Sequence, residues 1–412
     1  MDLIRKLKLT GDDSGQVLLL FALLLPLLVL FTGFGIDFGF AYFIKAEISK
    51  AADAAALAGM RNLGRGQLQA QAMALSEFDM NFNTNSTLFA APPTVAISFS
   101  TDASGDPTVT VTPQVAFKTF FIKLLPTYKT LNISSVSQAT RPPIILSLVL
   151  DRSGSMNDNG GAQALGPAVQ DFLGYFLENT DQLSEVSFST TAAVDVSLTK
   201  NFTNPITSSL NIMHFGGATF AQGGLLDAQS QINGVANPGA NAVKVAVFFT
   251  DGWANTNQDS LKCPQNRLVN YGGCSPVEAQ IGWCSGVSLL NPNPPNVSGT
   301  VSCSASTFPD QLTGRNEQLG SNSTTQTLIC NDAMYRAEQL ANTMRTQGIT
   351  VYSIGLGSTI NQTYLQQVAN DPASPTYDAN EPVGLAAFAP TANDLETVFQ
   401  TIASKIILRL TQ

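Results

Sequence analysis

Residues 144–156 read IILSLVLDRSGSM. The segment from Ile144 to Leu150 is apolar or small throughout and too short for a helix, which marks a strand buried on both faces. Asp151-Arg152-Ser153-Gly154-Ser155-Met156 follows where that strand ends. In an extended or turning segment alternate side chains share a side, so Asp151, Ser153 and Ser155 can converge on one point, with Gly154 letting the backbone turn between them. A carboxylate with two hydroxyls is a set of hard oxygen donors, suited to Mg²⁺, Mn²⁺ or Ca²⁺ rather than to the softer metals that Cys and His attract. A Ser-rich turn capping the next helix is the plainer alternative for the same letters.

Two further stretches belong with the first. Gly216-Gly217-Ala218-Thr219 comes midway, and the apolar run AVKVAVFFTDG, residues 242–252, ends on Asp251. In order and spacing the three resemble the metal-ion-dependent adhesion site (MIDAS) of von Willebrand factor A (VWA) domains. The resemblance implies that Ser153, Ser155 and Thr219 are direct hydroxyl ligands, with Asp151 and Asp251 holding the ion mostly through water. It also implies an open coordination position that accepts a carboxylate from a partner protein.

Around these stretches apolar strands alternate with amphipathic helices, the pattern of an α/β fold with a doubly wound, mostly parallel sheet. Leu165, Val169, Phe172 and Phe176 form one helical stripe; Met334, Ala337, Ala341 and Met344 form another, ended by Gly348. Val186 and Phe188, followed by Val194, Val196 and Leu198, read as a hairpin; Ile349–Ile354 reads as a further buried strand, and Leu395, Phe399, Ile402 and Ile406 as a last helix packed on the sheet. His214 reads as a helix-end or packing histidine rather than a general base. From Ala254 to about Leu328 the chain is rich in Asn, Gly, Ser and Pro, and Cys263, Cys274, Cys284, Cys303 and Cys330 lie in this insertion or at its end. Without a Cys-x-x-Cys or a nearby His they point to disulfides in an oxidising compartment, the pairing left open. The insertion leaves just after Asp251, on the strand-end face where such sheets bind ligands, and is placed to act as a specificity element.

The N-terminal part has a different character. Arg5, Lys6 and Lys8 precede an uncharged run, Gln16–Ile36, long enough for a transmembrane helix, with Pro26 an expected kink and a cytoplasmic N-terminus favoured by the basic flank. Asp37 at the exit reads as a marker of the water interface. Gly35/Gly39 and the pairs Ala51/Ala55, Ala52/Ala56 and Ala54/Ala58 repeat the small-xxx-small spacing of closely packed helices, against the plainer reading of alanine as a helix former. The GQ-led apolar span, the Asp at its exit and KAEISKAADAAALAG resemble the N-terminal region of TadG and TadE-like proteins of tight-adherence (Flp) pilus systems over about residues 14–60. Prepilin-like members carry Glu five residues after the cleavage-site Gly, whereas here Leu20 follows Gly15 at that distance.

The expected organisation is therefore a cytoplasmic segment 1–15, a transmembrane helix 16–36, an Ala-rich helix 37–86, a small β-rich region and linker 87–141 closed by Arg141-Pro142-Pro143, and a VWA domain 142–412 with the insertion 254–328. A net charge of −9 offers no basic stripe for phosphates, so no nucleic-acid partner is expected. What these features imply together is a single-pass protein of the bacterial inner membrane, its VWA domain periplasmic. It is expected to bind an acidic group of a protein ligand through Mg²⁺ and to contact pilus-machinery membrane proteins, without being an enzyme. The alternatives are a chelatase-like ATPase partner, a metal-dependent hydrolase or a minor structural pilin; no Walker A motif or activated nucleophile supports the first two.

Overall fold

The computed structural model describes residues 13–82, 91–124, 128–158, 160–236, 241–260, 278–281, 307–318, 323–358 and 360–408. The chain divides into two compact units, the first formed by residues up to Thr140 and the second by the chain from Arg141 onward, apart from two short connecting segments of the N-terminal part.

The first unit is built on one helix, α1 (Asp13–Arg61), unbroken through Pro26 and about 74 Å long at the usual rise per residue. Its character changes along its length. Leucines and phenylalanines from Leu18 to Phe31 are exposed, whereas Ile44, Ile48, Ala51, Ala52, Ala55, Ala56 and Met60 are buried. These alanines lie where α2 (Gln67–Asn81) folds back, its Ala70, Ala74 and Phe78 also fully buried. A Cβ on Gly59 would sit 3.3 Å from Ala74 Cβ and 3.0 Å from Val109 Cγ1. The small-residue spacing expected to serve other membrane helices is thus used, from Ala51 onward, inside the chain's own fold. Gly35 and Gly39 are the exception and face open space. An antiparallel sheet completes the unit: β1 (Thr94–Thr101) pairs one side of β2 (Pro107–Lys118), while β3 (Thr130–Ser134) and β4 (Ser137–Thr140) pair the other. The Ala-rich helix and the β-rich region expected as separate segments thus form one compact unit, because α1 and β2 bury apolar faces together.

The second unit opens on Arg141, whose guanidinium makes a buried two-point ion pair with Asp181 at 2.9 and 2.6 Å. Asp181 also accepts the backbone N–H groups of Ile144 and Leu177, which satisfies a carboxylate that burial would otherwise leave costly. From that anchor runs β5 (Ile144–Asp151), buried at every position. The chain continues through α3 (Ser155–Asp158), α4 (Gly161–Leu173), β6 (Gln182–Phe188), β7 (Ala192–Thr199), α5 (Thr203–Ile212), α6 (Ala221–Asn233) and β8 (Val243–Thr250). After two short ladders, β9 (Asn257–Ser260) with β10 (Glu278–Ile281) and β11 (Thr307–Asp310) with β12 (Arg315–Gln318), come α7 (Ser323–Thr346), β13 (Ile349–Leu356), α8 (Gln362–Ala369), β14 (Ala386–Ala389) and α9 (Leu395–Leu408).

The main sheet has the order β14-β13-β8-β5-β6-β7, parallel except for the edge strand β7, which forms the expected hairpin with β6. Each face carries its own core. Leu146, Leu148 and Leu150 of β5 meet α4 and the Phe399 and Ile402 stripe of α9 on one side; Ile145 and Val149 meet Leu225 of α6 and Ala337 and Ala341 of α7 on the other. The insertion departs from its expectation in two ways. Helix α7 begins at Ser323, inside the stretch expected to be irregular, and the described parts of the polar stretch pair as strands that side-chain propensity does not announce. Asp332 of α7 holds them, accepting from Asn257 Nδ2 at 2.8 Å and from the N–H groups of Gln311 and Leu312 while paired with Arg336 at 2.7 Å. Cys263, Cys274, Cys284 and Cys303 lie outside the described residues.

Candidate metal centre

The order in which strands are added to the sheet reverses between β5 and β8. One path leads from β5 outward through β6 to β7, the other from β8 through β13 to β14, so the carboxyl ends of β5 and β8 border the crevice where open α/β sheets bind ligands. The parallel register pairs Leu150 with Phe249, which brings Asp151 and the Thr250-Asp251 pair side by side.

A continuous chain of hydrogen bonds joins the residues there. Asp151, fully buried, accepts the Ser153 N–H at 2.7 Å on Oδ1 and the Thr250 hydroxyl at 2.5 Å on Oδ2. The Ser153 and Ser155 hydroxyls lie 3.1 Å apart, and the Ser155 hydroxyl donates to Asp251 Oδ1 at 2.7 Å. The loop before α6 is drawn onto this chain by its backbone, with Gly154 N donating to Gly217 O at 3.1 Å and Gly216 N to Arg152 O at 2.8 Å. Gly217 has φ +91°, and a Cβ there would run into the Thr190 hydroxyl, so the close approach requires glycine. Thr219, buried, is fixed from both sides by Asn255: its N–H donates to Asn255 Oδ1 at 2.7 Å and its carbonyl accepts from Asn255 N at 3.1 Å.

The structure thus brings Asp151, Ser153, Ser155 and Asp251 into one network and sets Thr219 on the loop bound against it. Thr250 and Asn255, which orient Asp151 and Thr219, were not singled out from the sequence. Thr250 reads there as one more strand residue, and Asn255 falls in the Asn-rich start of the insertion. Trp253, two residues past Asp251, is exposed. His214 lies just past the end of α5, exposed, where it shares a cavity of about 220 Å³ with Arg152, Ser187, Asp195, Ser209, Ile212 and Met213. Burial, and then the neighbouring Asp251 carboxylate, push the Asp151 carboxyl up to about 7, with the Ser153 and Thr250 hydrogen bonds opposing the shift. Two carboxylates crowded among neutral hydroxyls are a donor set that fits a hard divalent cation.

Two family models match the chain. Residues 15–62 match the model described as putative Flp pilus-assembly TadE/G-like, and residues 146–273 match the von Willebrand factor type A domain. No curated protein sequence matches the chain. Among solved structures, the vWF domain of the type V pili tip protein Mfa5 from Porphyromonas gingivalis is 14% identical with a TM-score of 0.43, covering 66% of this chain and 98% of its own. The pilus adhesin SpaC from Lactobacillus rhamnosus GG is 16% identical with a TM-score of 0.42, covering 77% of this chain and 35% of its own. Proximal thread matrix protein 1 from the mussel byssus, with a zinc-occupied MIDAS motif, is 14% identical with a TM-score of 0.37, covering 65% of this chain and 46% of its own. This chain therefore spans less than half the length of the mussel protein and of SpaC. These likenesses are too distant to carry function.

Proposed function

We propose that this chain, a VWA domain joined to a Tad-like membrane anchor, binds an acidic group of a partner protein through a divalent cation in the assembly, anchoring or adhesion of a tight-adherence pilus. The observation that carries the reading is the hydrogen-bonded network of Asp151, Ser153, Ser155, Asp251 and Thr250 at the switch point of the sheet. Ser153, Ser155 and Thr219 would hold the ion by their hydroxyls, while Asp151 and Asp251 would hold its waters. Bound there, Mg²⁺ supplies an electrophilic position to which a carboxylate can add, because a ligand set this poor in charge leaves the ion attractive to an acid. Exposed Trp253 offers the partner an aromatic contact at the rim.

The anchor is α1, which carries an 18-residue window of mean hydropathy 2.2 and is long and apolar enough to cross a membrane. Arg5, Lys6 and Lys8 favour a cytoplasmic N-terminus, and the cysteines of the insertion, read as disulfide-forming, favour a periplasmic VWA domain. The role is binding rather than catalysis. The hydroxyls of the network are engaged with carboxylates and with each other, and His214 belongs to a separate cavity.

Calorimetric titration of the full-length protein in detergent with Mg²⁺ tests the site. Saturable uptake is expected, weakened roughly tenfold or more in Thr250→Val, which removes the hydroxyl that orients Asp151. Absence of saturable uptake by the wild-type protein would overturn the reading.

A further inference from the structure

We propose that the loop Thr119–Lys123, which follows β2, is a second membrane contact, inserting its aromatic face at the lipid interface beside α1. It rests on the reading of α1 as a membrane anchor.

The loop lies against the uncharged run of the helix. A Cβ on Gly33 would fall 2.6 Å from Phe121 Cβ, so the Phe121 side chain packs on α1 within the segment Gln16–Ile36 that is proposed to cross the bilayer. At 1.5 Å per residue, Gly33 lies only about 5 Å inside the end of that run, which is the depth of the interface between acyl chains and headgroups. Any bilayer that surrounds α1 at Gly33 therefore meets the loop as well.

The loop's own hydrogen bonding suits a place without water. Asp37 is fully buried, and its carboxylate accepts three successive N–H groups, Phe120 at 2.7 Å, Phe121 at 2.9 Å and Ile122 at 2.7 Å. Thr119 donates its N–H to Lys129 O at 3.3 Å and its hydroxyl to Tyr128 O at 2.7 Å. A loop in water leaves such donors to the solvent; in or against lipid each must find a partner within the protein. Asp37, at the exit of the apolar run, thus spends its carboxylate on a loop more than 80 residues away.

The surface chemistry matches a headgroup region. Phe38, Tyr42 and Phe43 on α1, Phe121 on the loop and Tyr128 beyond it are all exposed, and aromatic side chains favour the headgroup region of a bilayer. Lys118, Lys123 and Lys129 are exposed around the loop and are complementary to anionic phospholipid headgroups. Lysines flanking a hydrophobic turn suit an anionic lipid surface and repel a basic protein partner.

The test uses full-length protein in vesicles of phosphatidylcholine and phosphatidylglycerol carrying bromine at shallow or deep acyl carbons, with the wild-type emission of Trp253 and Trp283 subtracted. Leu25→Trp, near the middle of the anchor and exposed, reports the anchor; Phe121→Trp and, independently, Tyr128→Trp report the loop. The expected result is loss of the added Leu25→Trp emission with deep bromines, and loss of the Phe121→Trp and Tyr128→Trp emission with shallow bromines only. If Leu25→Trp is quenched and both loop probes respond only to an aqueous quencher, the loop proposal is wrong and the anchor stands. If none of the three responds to brominated lipid, the anchor reading fails and the proposal fails with it.

Discussion

Glu185 lies on β6 with its carboxyl buried beneath the α5 side of the sheet. Burial, and then the charge of Asp195, push it up to about 8 from an ordinary value of 4.5, with the Ser209 hydroxyl opposing in part. The folded protein therefore retains a proton here that the unfolded chain releases above 4.5, and stability falls as pH rises from 4.5 through about 8. Urea unfolding of the wild-type protein and Glu185→Gln at pH 5 and pH 8 isolates this group: the wild type is expected to lose more stability between the two than the variant, and equal losses would contradict the assignment. Asp37 and Thr250 show why single residues were harder to read than strands. Nothing in the sequence near Asp37 announces a loop 83 to 85 positions away, and Thr250 gains its role only when the parallel register sets it beside Asp151. Charge-bearing side chains find their partners through tertiary structure, which local patterning does not encode.

Elements were legible where burial imposes a period. The continuous apolar run of β5, Val186 and Phe188 of β6 and the Leu395–Ile406 stripe of α9 are buried as their spacing selects, while Val194, Val196 and Leu198 of the edge strand β7 are half-buried. The ladders β9/β10 and β11/β12 were not legible, because their strands are short and mostly polar, with Asp332 holding Asn257 of β9 and the turn after β11. Helix α6 links the core to the site. It lies so close to the sheet that a Cβ on Gly224 would fall 2.7 Å from Phe188 Cδ1 and 2.9 Å from Val149 Cγ1, while Thr219 sits two residues before its first turn. Gly224→Leu is expected to lower stability by about 1–3 kcal/mol through overpacking and, by shifting α6, to weaken metal uptake at Thr219. Gly166→Ala on α4, where a Cβ meets nothing within 4 Å, is expected to change neither. Denaturant unfolding and calorimetry of the two variants check this, and unchanged metal affinity in a destabilised Gly224→Leu would separate the site from the helix.

At the scale of the whole molecule, the two ends of the chain offer two separate contacts: an apolar helix and loop for the membrane, and a network of hydroxyls and carboxylates at the switch point of the VWA sheet. The most direct test of the central claim asks whether that network holds a cation with a position open to an acid. Full-length protein loaded with Mn²⁺ is mixed with ¹³C-carboxyl acetate, and the carbon coupling to the metal is recorded by electron–nuclear double resonance. The account predicts a ¹³C coupling from directly bound acetate in the wild-type protein and its loss in Ser155→Ala. Mn²⁺ that binds tightly while showing no acetate coupling, or protein that takes up no Mn²⁺, would contradict it.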